Sequence, residues 1–425
     1  MNGKLIAIAV VALLVGFSLG AGLVYTLDSG KTRTSADFTS SELQNMTWGD
    51  VLSKARGETV NWYFWGGDTN VNSYVDDQVT KEAAQYGITI NRVAVTDASA
   101  FVNKVAGEKQ AGKNSGGSVD LIWVNGENYY TMRQGGLLFG PWADRIANSV
   151  LVNWSDPSIA NDMGYPVNYY ESPWGTAQYQ MIYDSAKYNA SALPHNFTEL
   201  KTWAMLHPGQ FTYAAPPAFF GTTFIKEALY ELTGGYAQYM DHSLTLSDFK
   251  NMSAPLYSYL NALEPYLWNQ GTTYPSDIPA VNSLFNDGAV ALTMTFGGAG
   301  IAASIKNGDL PSTAKVYCMN TSIANTNYVA IPYNANAKAA AMVVANILLE
   351  PQQQAYWVNL TGNGISINTS ALTGWRADVV NDVMNSLPTG TFVPQSEMAR
   401  TRAPDLGGNL VSYLESVWEE KVGSN

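Results

Sequence analysis

The residue types that most often carry catalysis are few in this chain and lie far apart. The three histidines, His195, His207 and His242, lie beside loop or turn residues, and none stands at the spacing of metal ligands. A serine nucleophile also lacks support, because no Gly-x-Ser-x-Gly motif is present. We therefore predict no catalytic residue, no metal site and no enzyme activity.

Two further features have the composition of a reactive site but a plainer explanation. The single cysteine, Cys318, ends a run typical of a β-strand, so we expect a buried core residue. Residues 298–303 match a loose Gly-x-Gly-x-x-Ala pattern after a predicted strand. No acidic residue follows about 20 positions later in a strand, as a dinucleotide site requires. We expect a glycine-rich helix start near a cleft, and no cofactor.

Composition limits the class of protein further. The chain has 425 residues, which favours two lobes over one ordinary core. Its formal charge is −12 and it has no basic cluster, so nucleic acid is a poor partner. Aromatic residues make up 12% of the chain and charged residues only 14%, which indicates a globular protein with a polar, weakly charged surface.

The N-terminus has the features of an export segment. Residues 5–27 carry no charge and are long enough to span a bilayer, so 1–27 are predicted to be a signal peptide or an N-terminal membrane anchor. Residues 28–47 are predicted to be a flexible linker. Eight Asn-x-Ser/Thr sequons make an extracytoplasmic glycoprotein a reasonable hypothesis. They are Asn45, Asn153, Asn189, Asn196, Asn251, Asn320, Asn359 and Asn368.

The elements that follow alternate between strands and helices. Strands are predicted at 59–65, 88–95 and 119–124, with helices at 74–86 and 98–110 between them. This order indicates an α/β fold with a mostly parallel sheet. Further strands are predicted at 175–183, 211–214 and 289–296, and further helices at 197–206, 222–232, 247–263, 281–286 and 338–349.

Several short motifs resemble a known family in their order along the chain. They include Trp65-Gly66-Gly67, Asn125-Gly126-Glu127, Pro173-Trp174-Gly175 and the segments 285–292, 331–335 and 338–354. From about residue 60 to about residue 400 the chain resembles the extracellular solute-binding proteins of ABC importers. The nearest branch is the YnjB-type group, which is akin to thiamine-, polyamine- and ferric-iron-binding proteins.

The resemblance implies a two-lobed, type II periplasmic-binding-protein-like fold with a ligand cleft between the lobes. By analogy, residues 60–172 and 282–324 form lobe 1, and 174–281 and 325–425 form lobe 2. It also implies an extracytoplasmic monomer, at the cell surface or in the periplasm, that delivers a small solute to an ABC permease in the membrane. A secreted hydrolase of glycans or peptides is the alternative, and it would need paired acids in the cleft.

Ligands sit beyond the carboxyl ends of the strands in open α/β sheets, and this rule selects Trp65, Gly66, Gly67 and Asn70 after the first strand and Asn125, Gly126 and Glu127 after the third. The crossover between the lobes adds Trp174, Gln178 and Tyr179, and a predicted helix start in lobe 2 adds Phe219, Gly221, Thr222 and Thr223. Phe296, Gly297, Asn327 and Tyr328 complete the set of candidate contacts. Such a mixture suits stacking on a flat ligand, with amides fixing its orientation. Glu127 would suit a cation, such as a thiamine-like ring or a polyamine, and a sugar is also compatible. For Trp65, Asn125 and Glu127, structural packing remains the competing interpretation.

Overall fold

The strands and helices in this computed structural model are described for residues 38–297 and 299–423. The strands are β1 (Thr59–Trp65), β2 (Thr89–Val95), β3 (Leu121–Val124), β4 (Asn161–Asp162), β5 (Tyr165–Pro166), β6 (Glu171–Asp184), β7 (Leu292–Phe296), β8 (Ala314–Tyr317), β9 (Ser322–Ala330) and β10 (Arg402–Pro404). The helices are α1 (Ser40–Leu43), α2 (Trp48–Ala55), α3 (Thr69–Tyr74), α4 (Thr80–Gln85), α5 (Ser99–Gln110), α6 (Gly126–Gln134), α7 (Pro157–Ala160), α8 (Phe197–Leu206), α9 (Phe219–Thr233), α10 (Leu246–Met252), α11 (Ala254–Leu263), α12 (Ile278–Asn286), α13 (Ala299–Asn307), α14 (Lys338–Leu348), α15 (Pro351–Thr361), α16 (Trp375–Ser386), α17 (Gln395–Thr401) and α18 (Gly408–Trp418).

The predicted N-terminal segment 1–27 lies outside the described residues. Within them, no helix combines the length and apolar character needed to cross a membrane. The second half of the linker expected at 28–47 is ordered: α1 has a capping box at Thr39, and both Phe38 and Leu43 are buried in a core. The polar composition of the segment predicted a flexible tether there. The packing of these two apolar side chains orders the segment instead.

One eight-stranded sheet runs through the molecule in the order β2-β1-β3-β9-β6-β7, with β10 paired to β9 and β8 paired to β6. Strands β2, β1 and β3 are parallel, as the alternating strand–helix order predicts. Pairing around β6 is antiparallel instead, with β9 on one side and with β7 and β8 on its second half. The mostly parallel sheet predicted for both lobes therefore describes only the first of them.

Two long strands pass from one half of the molecule to the other. Residues 171–178 of β6 pair with β9, and residues 179–184 pair with β7 and β8. Strand β9 begins among the residues of one core at Ile323 and ends in another at Val329. These two crossing strands join two lobes, so the predicted two-lobed α/β fold is confirmed.

The core of the first lobe covers both faces of β1, β2 and β3. Burial in β1 alternates, so that Val60, Trp62 and Phe64 point into one cluster with α2, α14 and α15. Helices α5 and α6 cover the other face. A group of aromatic rings at the centre of the first cluster brings Trp62, Trp174 and Trp357 together, with ring centroids 4.7–5.6 Å apart.

The second lobe has a separate core. Helices α8, α9, α11 and α18 pack there on the second half of β6 and on β7. Gly221 shows how closely α9 is packed, because a Cβ at that position would overlap the carbonyl oxygen of Ala214. An ion pair between Lys226 and Asp405, 2.8 Å apart, is buried in this lobe.

The lobe boundaries derived from the sequence differ from this packing. Residues 282–324 were assigned to lobe 1, yet β7 and β8 contribute Leu292, Met294 and Tyr317 to the second core. Residues 325–425 were assigned to lobe 2, yet the buried helix α14 packs in the first core. The reason is the direction of β9, which carries the chain back from the second lobe into the first.

Local predictions agree with most of the elements. Helix α8 has the predicted bounds, whereas 211–214 is a buried extended segment outside the strands, and 247–263 is divided into α10 and α11 at Ser253. The predicted helix 74–86 begins five residues earlier, because the carboxylate of Asp68 caps α3.

Cys318 is buried, and desolvation raises the pKa of its thiol to about 12, as expected for a core residue.

Candidate functional site

The carboxyl end of β1 presents an exposed aromatic ring at the edge of the first lobe. Trp65 is 48% exposed, whereas Trp62 and Phe64 in the same strand are fully buried. Gly66 and Gly67 follow, and a side chain at Gly67 would collide with the Trp65 ring. The Asp68 carboxylate then accepts hydrogen bonds from the backbone of Asn70 and Val71 at the start of α3.

The next strand end, after β3, is held by a network of hydrogen bonds. Asn125 accepts a hydrogen bond from the indole N–H of Trp123 (2.8 Å) and donates to the carbonyl oxygen of Thr326 on β9 (2.6 Å). Gly126 has a φ of 58°, and its N–H donates to the Asp162 carboxylate at 2.6 Å. The side-chain oxygen and nitrogen of Asn125 are therefore both hydrogen-bonded within the protein. The role of Asn125 is to position the loop that follows β3.

Two carboxyl groups are buried directly behind this loop. Desolvation raises the pKa of Asp162 to about 8, although hydrogen bonds from Gly126 and Asn125 lower it. Glu171 is also fully buried, and desolvation together with the nearby Asp162 raises its pKa well above the usual range. At least part of this buried acid pair therefore holds protons near neutral pH.

The raised pKa of Asp162 predicts a pH dependence of stability. The folded protein retains a proton that the unfolded chain releases between about pH 4 and about pH 8, so the free energy of unfolding should fall as the pH rises through that window. In the Asp162→Asn variant the free energy of unfolding should fall less over the same pH range, and the decrease that remains should come from Glu171. Urea unfolding at about pH 5, pH 7 and pH 9 measures it. The exposed Asp287→Asn should keep the wild-type slope, and an unchanged slope in Asp162→Asn would contradict the assignment.

One face of the crossing strands remains open between the lobes. Ala177 on β6 pairs with Asn325 on β9, and Gly175 pairs with Asn327, so these four residues share a face of the sheet. Asn325, Asn327 and Ala177 are half-buried, while their neighbours in sequence are buried. Gly175 is needed here because a Cβ would lie 2.5 Å from the Trp357 ring.

Several predicted contacts point to other parts of the protein. Gln178 faces the back of the sheet, where its amide donates to the carbonyl oxygen of Met398 (3.0 Å) and to Thr401. The Tyr328 hydroxyl donates to the carbonyl oxygen of Ile159. Trp174 lies in the first core. Since strand residues alternate between faces, Gln178 and Tyr328 cannot share the open face with Ala177 and Asn327.

The second lobe contributes aromatic rings at the start of α9 and at the end of β7. Phe219 is 48% exposed and its ring centroid lies 5.2 Å from that of Phe296. Tyr179 is buried beneath them, with its hydroxyl donating to the carbonyl oxygen of Phe220. The predicted contacts Thr222 and Thr223 are also buried, and their hydroxyls donate to Glu415 and to the carbonyl oxygen of Phe219.

Sequence reasoning missed two residues of the open face. In the sequence, residue 325 was identified only as the start of a lobe segment and not as a ligand contact. Asn363 follows α15 in a segment where no motif indicated a binding residue. Gly297, which was predicted, explains the position of Asn363: a Cβ on Gly297 would lie 2.8 Å from the Asn363 Oδ1 and 3.9 Å from the Ala177 Cβ. A strand pattern with asparagine at alternate positions, Asn325 and Asn327, was the available signal for the first of them.

Contacts beyond the crossing strands also join the lobes. The His242 ring, from the second lobe, stacks on Tyr165 with centroids 4.3 Å apart, and its Nε2 lies 2.6 Å from the carbonyl oxygen of Gly164. The Glu127 carboxylate lies against Gly408 at the N-terminus of α18, a favourable place for a negative charge. Glu127, predicted as a ligand contact, is therefore engaged with the opposite lobe.

The predicted residues thus divide into two groups. Trp65, Gly66, Gly67, Asn70, Asn125, Phe219, Phe296 and Asn327 are exposed or half-buried, and Gly297 lies beside Asn363 and Ala177 of the open face. Trp174, Gln178, Tyr179, Gly221, Thr222, Thr223 and Tyr328 are buried, Gly126 is a buried helix start, and Glu127 contacts α18. Across the described residues, no group of three or more His, Cys, Asp or Glu side chains is placed to hold a metal ion.

Two α/β lobes joined by crossing strands are the architecture of the class of two-lobed solute-binding proteins. A model of the family described as "Bacterial extracellular solute-binding protein" matches residues 77–384. Protein YnjB of Escherichia coli (strain K12) is 37% identical over 309 residues, which are 72% of this chain and 78% of that protein. The chain therefore belongs to the bacterial extracellular solute-binding protein family.

Solved structures agree on the fold. The substrate-binding protein PotD of a spermidine/putrescine ABC transporter from Streptococcus pneumoniae has a TM-score of 0.57 at 14% identity, covering 86% of this chain and 99% of that one. A cyclic alpha-maltosyl-1,6-maltose binding protein from Arthrobacter globiformis has a TM-score of 0.60 at 16% identity, covering 86% and 94%. The chain is the extracytoplasmic substrate-binding component of an ABC importer, and its family and fold are those of non-enzymatic solute-binding proteins.

Proposed function

We propose that the solute of this importer component is held over the open face of the crossing strands, between Trp65 of the first lobe and Phe219 and Phe296 of the second. The observation that carries this proposal is the exposure of Trp65 and Phe219, each 48%, whereas nearby aromatic residues such as Trp62 and Phe64 are fully buried. Aromatic faces on two sides of a cleft suit a flat or ring-bearing ligand.

Three ligand classes are compatible with such a cleft. Thiamine-like rings and polyamines would use aromatic faces to attract positive charge, and sugars would stack their apolar faces on the same rings. Similar folds occur in proteins whose names state binding of spermidine/putrescine and of cyclic alpha-maltosyl-1,6-maltose. Because those proteins share only 14% and 16% identity with this chain, they leave the ligand class open.

Thermal unfolding of the full-length protein with solutes tests the proposal. The panel contains thiamine, spermidine, putrescine, glucose, maltose, amino acids and ferric citrate. A solute at about 100 times its dissociation constant should add about 2.7 kcal/mol to the free energy of unfolding. Trp65→Ala and Phe219→Ala should weaken that effect at equal solute concentration. Trp375→Ala, also an exposed aromatic residue at 61%, should leave it unchanged. Binding that survives both cleft variants would contradict the proposed site.

We also propose lobe limits and a surface arrangement for the native protein. By core membership, lobe 1 comprises about 38–178 and 325–398, and lobe 2 about 179–324 and 402–423. The N-terminal segment would tether a monomer to the membrane beside its permease. Seven of the eight sequon asparagines are exposed and Asn196 is half-buried, so all are open to modification. The mass of the native protein before and after glycan removal tests this last point.

A further inference from the structure

The open face carries three asparagines whose side-chain amides have no hydrogen-bond partner within the described part of the chain. Asn325, Asn327 and Asn363 are half-buried, and their side-chain amides make no hydrogen bond to any of the described residues. This contrasts with Asn125, whose amide is fully used. Each free amide offers a donor and an acceptor to whatever occupies the cleft.

These amides lie close together. Asn325 and Asn327 are two residues apart on β9, on the same face of the sheet. Asn363 and Ala177 both border the position where a Cβ of Gly297 would lie, and Ala177 is the register partner of Asn325. The three amides therefore line one continuous floor beside Gly297, which directly follows β7.

Three acidic residues of the neighbouring loops lie at helix starts. Asp68 accepts two backbone hydrogen bonds at the start of α3, and Asp162 accepts one from Gly126 at the start of α6. Glu127 lies against Gly408 at the start of α18. Asp68 and Glu127 lie at helix N-termini, where a negative charge is favourably placed, whereas burial raises the pKa of Asp162 to about 8. The polar groups that the three asparagines of the floor present are uncharged amides.

We infer that the solute is an uncharged, ring-bearing polyhydroxyl compound, of the sugar or cyclitol class. Each amide can donate to one ring hydroxyl and accept from its neighbour, while the apolar face of the ring packs on Trp65 or Phe219. The inference rests on the proposed function, because it concerns the ligand of the same cleft.

The test compares matched probes on the full-length protein by calorimetric titration at low and high salt. The uncharged probes are glucose, maltose and myo-inositol, and the cationic probes are spermidine, putrescine and thiamine. We expect binding of at least one uncharged probe with an affinity that salt leaves unchanged, since no ion pair is formed. Asn325→Ala and Asn327→Ala should each weaken it about tenfold, the value of one or two lost hydrogen bonds.

Matched variants make the outcome decisive. Asn91→Ala removes an amide that bonds only to Asn61 on β1, away from the floor, and should retain wild-type affinity. Asn327→Asp should abolish binding of the uncharged probe if the amide donates to it. Salt-sensitive binding of a cationic probe alone would overturn the inference and leave the proposed function standing. Binding of an uncharged probe with no loss of affinity in the asparagine variants would also overturn the inference. If no probe from either class binds, the inference is overturned, and the result also counts against the cleft as a solute site.

Discussion

Replacing Trp174 with alanine should lower the free energy of unfolding by about 3–5 kcal/mol. The indole is fully buried, and its ring centroid lies 4.7 Å from Trp357, 5.1 Å from Trp123 and 5.6 Å from Trp62. Removing it leaves a cavity that these rigid rings cannot close. Chemical unfolding monitored by circular dichroism measures the loss as a shift of the transition midpoint.

A matched exposed tryptophan provides the control. Trp375 lies at the start of α16 and is 61% exposed, so Trp375→Ala should change the free energy of unfolding by no more than about 0.5 kcal/mol. The pair of variants also separates two roles for Trp174, which the sequence placed among the ligand contacts. A small loss in Trp174→Ala, accompanied by a large loss of solute binding, would show that the indole belongs to the cleft and not to the core.

Replacing Lys226 with methionine should be comparably destabilising, by about 3–5 kcal/mol. Lys226 and Asp405 are each at most 5% exposed, and their charged groups are 2.8 Å apart. Methionine fills a similar volume but leaves the Asp405 carboxylate buried, with the backbone N–H of Leu406 as its one remaining donor among the described residues. The same unfolding measurement applies.

Two further variants complete the argument. The double variant Lys226→Met/Asp405→Leu removes both charges, so much of the lost stability should return. Lys250→Met breaks an ion pair with Glu420 whose side chains are 38% and 45% exposed, and it should cost no more than about 1 kcal/mol. If Lys226→Met were as mild as Lys250→Met, the buried pair would contribute no more than a surface one.

The sequence was most informative where periodicity and capping act locally. The β-rich composition of 59–65 predicted β1, and α8 was predicted to its last residue. The two-lobed fold came from the order of short motifs, and the family comparison confirms it. Local patterns could not show which lobe a segment joins, because that depends on the direction in which β9 crosses the sheet.

The candidate site was predictable only at its edges. Trp65, at the carboxyl end of β1, followed from the rule for α/β sheets. The roles of Gln178 and Tyr328 did not, because a strand buried on both faces has no polar alternation to show which face is open. Asn363 could not be predicted from the sequence. Its place beside Gly297 arises from a bridge between Thr176 and Gly364, which are far apart in the sequence.

The stacking of His242 on Tyr165 has a consequence for how tightly any solute is held. Neither ring belongs to the cleft floor, so the contact adds to the free energy of closure by the same amount for every ligand. A larger population of the closed state raises the apparent affinity for all solutes by one common factor. Discrimination between two solutes is a ratio, and that factor cancels from it. Evolution could therefore tune the strength of capture at this contact without altering what is captured.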